Sequence, residues 1–409
     1  ISNANGILLL FVVLINWKKM KTTKSKRMPL ALGFIGGGLS SAIGKTHFGA
    51  SQLDGKWKLE AGCFSRQVES NRETATAWHI EPDRLYDSWQ DFLEQEAGKL
   101  DAVAVLTPTP EHVEIVCALL EKKIPVICEK PLVASLTEMS RVQKVLQQGG
   151  RFLAVTFNYS GYPMVRELRE LIKDGALGQI KQIRFEVPQE VFMRSKKVKG
   201  NITSPQSWRL KDACIPTICL DLGVHLHHLM YFLTGEEPTQ TMAEFSNYSS
   251  YSDLVDDILM WIKFDSGIKG SFWMSKSALG HRNGLQISLY GDKGSARWVQ
   301  SEPEILKLFS DNGTCTIVDR GGEPMVCDSP RYNRYKAGHP AGFIEAFANL
   351  YGDIADALIQ FDETGKHGNP YVFGFDHSVN GLNLFTAACK SNEDGSWQAL
   401  ESFVCQLNT

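Results

Sequence analysis

Lys130 stands at a point in the chain where acid–base chemistry is often found. It follows the apolar run of IPVICEKP, residues 124–131, which predicts a buried strand. Open α/β sheets bind their ligands at the carboxyl ends of such strands. A lysine that is partly buried, or that lies beside other cations, has a lowered pKa and can transfer protons. An exposed loop lysine is the alternative, and the residue type and place leave both interpretations open.

A histidine-rich stretch, DLGVHLHHLMYFLTG, predicts a helix that runs from Asp221 to Gly235. At about 100° per residue, Asp221, His225 and His228 fall within an arc of roughly 60°. His227 points the opposite way. Four leucines form an adjoining apolar stripe that would dock on the core, namely Leu222, Leu226, Leu229 and Leu233. The pattern predicts an acid and two imidazoles along one edge of a buried helix.

Three interpretations fit this cluster. In the first, which we favour, Asp221 orients or charge-stabilises His225, whose ring titrates near neutral pH and can act as a general base. In the second, the histidines are core residues with satisfied hydrogen bonds. In the third, Asp221, His225 and His228 bind zinc, although the H-E-x-x-H spacing of open zinc sites is absent. We therefore predict acid–base chemistry and no metal.

The glycine cluster GFIGGGLSS matches part of a dinucleotide-binding fingerprint. It follows the apolar run LALGFI, and Gly36 and Gly38 occupy the first two positions of G-x-G-x-x-G, which allow a tight turn and a close approach to a pyrophosphate. Ser41 replaces the third glycine. A helix that begins near Ser40 or Ser41 would direct its free N–H groups at the pyrophosphate. A glycine-rich turn without a ligand is the alternative.

The sequence GKT that follows does not complete a nucleoside-triphosphate loop. That motif needs a glycine five positions before the glycine of GKT. Gly44 is the glycine of GKT, and Leu39 stands at the required position. The segment 36–41, Leu39 included, is therefore predicted to face a dinucleotide.

The elements that must position these side chains fall into two groups. From Leu30 to about Phe157, short apolar strands alternate with helices, which predicts a doubly wound parallel sheet. After Tyr159, long extended stretches over residues 180–300 and the turn sequences DSG and GDKG predict a mostly antiparallel sheet. A helix is predicted at 340–360. We divide the chain into an appendage (1–27), a dinucleotide-binding domain (28–157) and a substrate-binding α+β domain (158–409).

Composition excludes several classes of partner. The formal net charge is −3 and the pI about 6.4, so no basic excess indicates nucleic acid or an anionic membrane. Nine cysteines without a C-x-x-C spacing predict reduced thiols in a cytoplasmic protein. The N-terminal run ILLLFVVLI is nine residues long, too short to span a bilayer. We take residues 1–27 as an appendage, with a membrane anchor as the alternative.

In their order and spacing, four motifs resemble the Gfo/Idh/MocA oxidoreductases. They are GFIGGG, TPTPEH, EKP and the D-x-G-x-H of Asp221 to His225, and the resemblance covers about residues 29–400. It implies an α/β chain with an N-terminal Rossmann domain, which is a doubly wound parallel sheet. A C-terminal α+β domain with a large, open, mostly antiparallel sheet would follow. The family's catalytic lysine, aspartate and histidine match Lys130, Asp221 and His225. Sugars or cyclitols would be the substrates, and a homodimer or homotetramer is implied.

The resemblance also implies a cofactor site and a substrate site. Ser65 and Arg66 end the second strand, where NAD enzymes often place an acidic residue on the ribose. Arg66 could accept a 2′-phosphate, so we expect NADP or NAD with a lean to NADP. The other predicted cofactor-binding residues are Gly36, Gly38, Leu39, Ser40, Ser41, Thr107, Pro108, Thr109, His112, Glu129 and Lys130. The predicted substrate-binding residues are Lys130, Asn158, Tyr159, Trp208, Arg209, Asp221, His225 and His228.

The resulting hypothesis is an NAD(P)-dependent oxidoreductase that moves a hydride between the nicotinamide and a hydroxyl or keto group of a sugar, cyclitol or sugar derivative. By analogy, His225 removes the hydroxyl proton while Lys130 hydrogen-bonds the same oxygen. The alternatives are an NAD-dependent glycoside hydrolase and a non-catalytic nucleotide-sensing protein of the same fold. The residues before Asp221, ACIPTICL, are bulkier than the family's usual glycines, which predicts a reshaped substrate pocket.

Overall fold

The computed structural model describes residues 28–194, 197–198, 201–202 and 207–401. The predicted appendage at 1–27 lies outside these residues. The first part of the described chain is a five-stranded parallel sheet with strand order β2-β1-β3-β4-β5. Its strands are β1 (Leu30–Gly36), β2 (Trp57–Cys63), β3 (Ala102–Leu106), β4 (Val126–Cys128) and β5 (Leu153–Val155). The predicted doubly wound parallel sheet is confirmed.

Helices connect these strands, as the alternating pattern predicts. They are α1 (Ala42–Leu53), α2 (Val68–Ala77), α3 (Trp89–Glu96), α4 (His112–Glu121) and α5 (Leu136–Leu146). Ser41 caps α1, because its hydroxyl accepts a 3.2 Å hydrogen bond from the backbone N–H of Gly44. Strand β3 ends at Leu106 and is shorter than the predicted strand, because the sequence TPTP that follows leads into a single 3₁₀ turn at Thr109–Glu111.

The second part is a nine-stranded, mostly antiparallel sheet, which confirms the predicted fold class. Its strand order is β15-β14-β13-β12-β6-β11-β10-β9-β16, and the β6–β11 pair is parallel. The strands are β6 (Ile180–Pro188), β9 (Gln240–Ser246), β10 (Asp257–Lys263), β11 (Lys269–Ser275), β12 (Gln286–Gly291), β13 (Gly294–Val299), β14 (Leu306–Ser310), β15 (Cys315–Val318) and β16 (Gln398–Ala399). A separate two-stranded ribbon consists of β7 (Lys197–Val198) and β8 (Asn201–Ile202). The DSG and GDKG segments form the predicted turns of hairpins β10–β11 and β12–β13.

Four helices accompany this sheet: α6 (Pro163–Lys173), α7 (Val224–Thr234), α8 (Phe343–Thr364) and α9 (Phe375–Asp394). Helix α8 returns to the first part of the chain, where its Phe347, Tyr351 and Ile354 belong to the same buried cluster as Leu30 and Phe34. Helix α8 lies within the predicted second domain (158–409), but it also completes the hydrophobic core of the first domain. Helix α9 was not predicted.

A buried ion pair joins α6 to α8. Arg166 contacts Asp353 at 2.6 Å, and both side chains are at most 1% exposed. The Arg166 guanidinium also donates to the backbone carbonyl of Ser160 and to the hydroxyl of Tyr332. Because an unpaired buried charge is costly, this pair fixes the helix that bridges the two sheets.

Eight cysteines lie in the described part of the chain, and each is a free thiol there. No helix among the described residues combines the length and the apolar character needed to cross a membrane.

Candidate active site

Lys130 lies in the loop that follows β4, at the carboxyl edge of the parallel sheet. Its side chain is 15% exposed, and the following peptide bond to Pro131 is cis. The buried ring of His112 ties this loop to the one after β3. One ring nitrogen lies 2.9 Å from the carbonyl of Pro131 and the other 2.8 Å from the carbonyl of Thr107. His112, a predicted cofactor residue, thus holds the two loops together.

Asp221 is the first partner of Lys130. The ammonium group donates to the backbone carbonyl of Asp221 at 2.8 Å and to its carboxylate Oδ1 at 3.2 Å. Residues Cys219–Gly223 form a π turn, in which the N–H of Val224 reaches back to the carbonyl of Cys219. Such wide turns often occur at functional sites. The predicted pairing of these two groups in one site is therefore present in the geometry.

Two further cations hold the other oxygen of the Asp221 carboxylate. Lys276 lies 2.8 Å from Oδ2 and Arg209 lies 2.7 Å from it. Burial alone would raise the pKa of Asp221. The opposing charges of its neighbours, Lys276 foremost, outweigh burial and hold that pKa well below its ordinary value. Asp221 is therefore a permanent carboxylate at neutral pH.

His225 lies on the first turn of α7 and is 5% exposed. Burial, and then the charge of Lys130, lowers its pKa well below the ordinary value, so the ring is neutral. Its Nδ1 has no hydrogen-bond partner among the described residues, and the ring of Tyr159 lies 4.4 Å from it, centroid to centroid. A neutral imidazole with an unpaired nitrogen can accept a proton.

Of the two predicted effects of Asp221 on His225, orientation or charge stabilisation, the geometry favours the second, because the charge of Asp221 raises the pKa of His225 against the larger effects of burial and Lys130. The carboxylate is engaged by three cations, and His225 keeps an unpartnered Nδ1. The π turn at Cys219–Gly223 departs from the 100° periodicity on which the predicted arc depends. Asp221 instead positions Lys130, and only the charge of its carboxylate acts on His225.

His228 directs its hydrogen bonds away from Lys130 and Asp221. Its Nε2 lies 2.8 Å from the hydroxyl of Ser160 and its Nδ1 lies 3.0 Å from Nε2 of His377. The ring stacks on Phe157 at 4.5 Å and is fully buried. With both ring nitrogens engaged, His228 has the contacts of a core histidine, and its predicted role in substrate binding stays a prediction.

The glycine loop has the shape that a dinucleotide needs. Gly36 and Gly37 adopt φ angles of +82° and +72°, a region that side chains rarely enter. A Cβ on Gly44 would lie 1.7 Å from the carbonyl oxygen of Gly37, so α1 packs directly on the loop. Gly44 therefore provides the close approach that the third glycine of the fingerprint usually provides. The backbone N–H of Leu39 already donates to Thr74.

Residues 30–157 match the family model described as an oxidoreductase family with an NAD-binding Rossmann fold, and residues 165–297 match that of the GFO/IDH/MocA C-terminal domain. The chain belongs to the Gfo/Idh/MocA oxidoreductases. It is therefore an NAD(P)-dependent dehydrogenase or reductase of CH–OH groups.

Similar proteins include several oxidoreductases. The uncharacterized oxidoreductase YfiI of Bacillus subtilis is 27% identical over 381 residues, which cover 90% of this chain and 96% of that protein. Levoglucosan dehydrogenase of Pseudarthrobacter phenanthrenivorans is 25% identical over 295 residues, which cover 65% of this chain and 72% of that protein. The crystal structure of an inositol dehydrogenase homolog from Azotobacter vinelandii, complexed with NADH and myo-inositol, has a TM-score of 0.81 and 26% identity, and the match covers 91% of this chain and 98% of that one.

Several residues that we predict to bind cofactor or substrate lie at the carboxyl edge of the first sheet of this Gfo/Idh/MocA chain. Some of them have buried polar atoms without a hydrogen-bond partner among the described residues. Within the described residues, Oγ1 of Thr107 and Nδ2 of Asn158 are buried without a hydrogen-bond partner. Thr109 begins the adjacent turn, after Pro108, and is buried. Orphaned buried polar atoms are uncommon, and a bound dinucleotide and substrate would satisfy them. This edge and the glycine loop therefore fit NAD(P).

Other predicted contacts have partners within the protein. The carboxylate of Glu129 accepts from His47 at 3.2 Å and from the hydroxyl of Thr156. Ser65 follows β2, and its hydroxyl accepts from the N–H of Gln67. Arg66 is 84% exposed and lies 3.3 Å from Glu111. Ser40 lies beside the Ser41 cap, and the side chain of Trp208 lies outside the described part of the structure.

The sequence patterns did not identify Lys276 or a polar wall beside Tyr159. Gln189 donates to Asn283 at 2.9 Å, and Asn283 donates to Gln300 and to the hydroxyl of Tyr159. These amides lie on strand ends that are remote in sequence and carry no motif. One sequence feature could have indicated Lys276 as a site residue. It directly follows strand β11, just as Lys130 follows a predicted strand.

Proposed function

We propose that this protein oxidises a secondary hydroxyl of a sugar or cyclitol, or reduces the corresponding ketone, with NAD(P) as the hydride carrier. The observation that carries the proposal is the grouping of Lys130, its Asp221 partner and a neutral His225 with an unpartnered nitrogen. The names of the relatives, which mention inositol and levoglucosan, support this substrate class.

In this proposal each side chain has one task. NAD(P), when bound at this edge, would supply the hydride acceptor for the carbon that carries the hydroxyl. A ring nitrogen of His225 takes the hydroxyl proton, so a ketone and an imidazolium result. Nζ of Lys130 donates a hydrogen bond to the same oxygen and stabilises its developing negative charge. Asp221 positions Lys130 and balances part of its charge.

The cofactor and the assembly are proposals as well. Arg66, in the loop after β2, has a long, exposed side chain that could leave Glu111 for a 2′-phosphate. This favours NADP, although the names of two similar structures mention NADH or NAD+. We further propose a homodimer or homotetramer that covers the outer face of the second sheet. That face carries exposed apolar side chains, namely Leu259, Trp261, Tyr290, Phe309 and Ile317.

The test is a screen of sugars and cyclitols, myo-inositol and levoglucosan included, with NAD and NADP at the nicotinamide absorbance. Once a substrate is found, Lys130→Met and His225→Asn should each reduce kcat by about 100-fold or more, and His225→Asn should leave NADH binding within twofold. Full turnover in both variants would contradict the mechanism. Release of a free sugar from an aryl glycoside without net cofactor reduction would favour the hydrolase, and dinucleotide binding without any turnover would favour a sensor.

A further inference from the structure

A second cluster of titratable side chains lies outside the candidate active site. His227 on α7, Glu237 in the segment after α7 and His377 on α9 bring their ligating atoms within 4.8 Å of one another. Nε2 of His227 lies 2.7 Å from Oε2 of Glu237, and Nδ1 of His377 lies 3.9 Å from Oε1. Both histidines are buried, whereas the Glu237 side chain is 29% exposed.

Nδ1 of His377 is a buried polar atom that lacks a hydrogen-bond partner among the described residues. The other nitrogen of the ring explains its state. The Ser160 hydroxyl donates to the carbonyl of Phe157, so it accepts from Nε2 of His228. Nδ1 of the neutral His228 ring is then an acceptor, and Nε2 of His377 must donate to it at 3.0 Å.

This proton assignment leaves Nδ1 of His377 with a bare lone pair. Its lone pair lies on the side of the Glu237 carboxylate, which is itself an acceptor. Even a protonated Nδ1 would be too far, at 3.9 Å, to form a hydrogen bond. Two atoms with lone pairs that face each other in this way can together coordinate a cation.

We propose that Nε2 of His227, Nδ1 of His377 and the carboxylate of Glu237 bind a divalent transition-metal ion of the Zn²⁺ class. Two imidazoles and one carboxylate form an established ligand set for zinc, with bonds of about 2.0–2.2 Å. The histidine nitrogens disfavour the harder cations Mg²⁺ and Ca²⁺, which prefer oxygen. Binding requires a small movement of the half-buried Glu237 away from its present hydrogen bond to His227, and the proton on Nε2 of that ring must move to Nδ1 or be released to water so that Nε2 can bind the ion.

The groups around these ligands are arranged as in metal sites. His377 donates its second ring nitrogen to His228, and Asn380 donates to Oε1 of Glu237 at 3.0 Å. Such outer contacts fix the orientation and tautomer of the ligands. Glu237 borders two open cavities of about 370 and 560 Å³. These cavities give an ion a route of entry and give water access to a fourth coordination position.

The position of the site gives the ion a structural role. The ion would link α7, which carries His225, to α9. It would lie beside the candidate active site and outside it. The set differs from the zinc set considered from the sequence, because His228 has both nitrogens engaged and Asp221 is held by cations.

The experiment is a calorimetric titration of the chelator-treated full chain with ZnCl₂, with MgCl₂ run in parallel, followed by elemental analysis after gel filtration. We expect one Zn²⁺ per chain, an increase in Tm with Zn²⁺ and neither effect with Mg²⁺. Glu237→Gln and His227→Gln should each weaken Zn²⁺ binding by at least about tenfold. Co²⁺ in place of Zn²⁺ should give the visible absorption of a four-coordinate site with nitrogen ligands.

His367→Gln is the matched control. Its Nδ1 also lacks a partner among the described residues and it lines the larger cavity, but it lies outside the three-residue set; its Zn²⁺ affinity should equal that of the unmodified chain. NADH binding reports whether each variant is folded, and the nearly isosteric Glu237→Gln carries the test if a histidine variant is not. Equal Zn²⁺ binding in Glu237→Gln and in the unmodified chain, or no binding in either, would overturn the proposal without bearing on the dehydrogenase function.

Discussion

Lys276 and Asp221 form a 2.8 Å ion pair in which the lysine side chain is only 3% exposed. The pair occupies Oδ2 of the carboxylate and leaves Oδ1 for Lys130. Lys276 also lies over the ring of Phe192, 5.2 Å from its centroid. Lys276, which follows a strand of the second sheet, therefore anchors Asp221, and Asp221 in turn positions Lys130, which follows a strand of the first sheet.

Replacement of Lys276 by Met should lower kcat by about tenfold or more, because Oδ2 then keeps only Arg209 and the carboxylate that positions Lys130 loses its buried anchor. KM should change less, since Lys276 is assigned no substrate contact. Lys276→Arg, which keeps a cation, should restore part of the activity. Lys269→Met, at the exposed start of the same strand, is the control and should be silent. A normal kcat in Lys276→Met would show that Lys276 does not position the site.

Gly44→Ala should weaken NAD(P)H binding by at least about tenfold, since its Cβ would lie 1.7 Å from the Gly37 carbonyl oxygen and would displace the loop. Gly49→Ala is the matched control on the same helix, because no atom lies within 4 Å of the added Cβ. That control should keep its cofactor affinity and gain about 0.5–1 kcal/mol in stability. Fluorescence titration and thermal unfolding measure both. Equal cofactor affinities would contradict the assigned role of Gly44.

The sequence predicted the elements whose causes are local. The β1–glycine loop–α1 unit, its Ser41 cap, the strand before Lys130 and the end of α7 at Gly235 depend on patterns within a few residues. The partners of the site are not local. Lys276 meets Asp221 across 55 residues, and His377 meets His228 across 149. The π turn at Cys219–Gly223 has no sequence signal, so helical spacing alone could not predict how Asp221 lies relative to His225 and His228.

Arg66→Ala should reduce NADPH affinity by about tenfold and leave NADH affinity within twofold, because a guanidinium in the loop after β2 would act on the 2′-phosphate. Glu111→Gln provides the reciprocal test. It removes the carboxylate that now lies 3.3 Å from Arg66 and should raise NADPH affinity. Equal losses for both cofactors in Arg66→Ala would contradict the lean to NADP.

Trp261→Glu should shift the protein from an oligomer to a monomer. Its side chain is 57% exposed on β10, beside Leu259 at 51%, and a charge there cannot be buried against a second copy without a large cost. Light scattering after gel filtration measures the mass. Tyr248→Glu, which changes an equally exposed ring outside the strands, should leave the mass unchanged. A monomeric unmodified chain would contradict the proposed assembly.

Asp221→Asn should change how stability depends on pH. The folded pKa of Asp221 lies well below its ordinary value of 3.8, so its charge stabilises the fold at pH values above 3.8, and this contribution is lost as the pH falls through the folded pKa. At pH 7 the variant should lose about 3 kcal/mol or more, because Lys276 stays buried without its carboxylate. Below pH 3.8 the two proteins should converge. Urea unfolding across pH measures the difference. Glu114→Gln, which removes an exposed carboxylate paired with Arg141, should change stability little at any pH. A constant difference between Asp221→Asn and the unmodified protein would show that the carboxylate charge is not what stabilises this site.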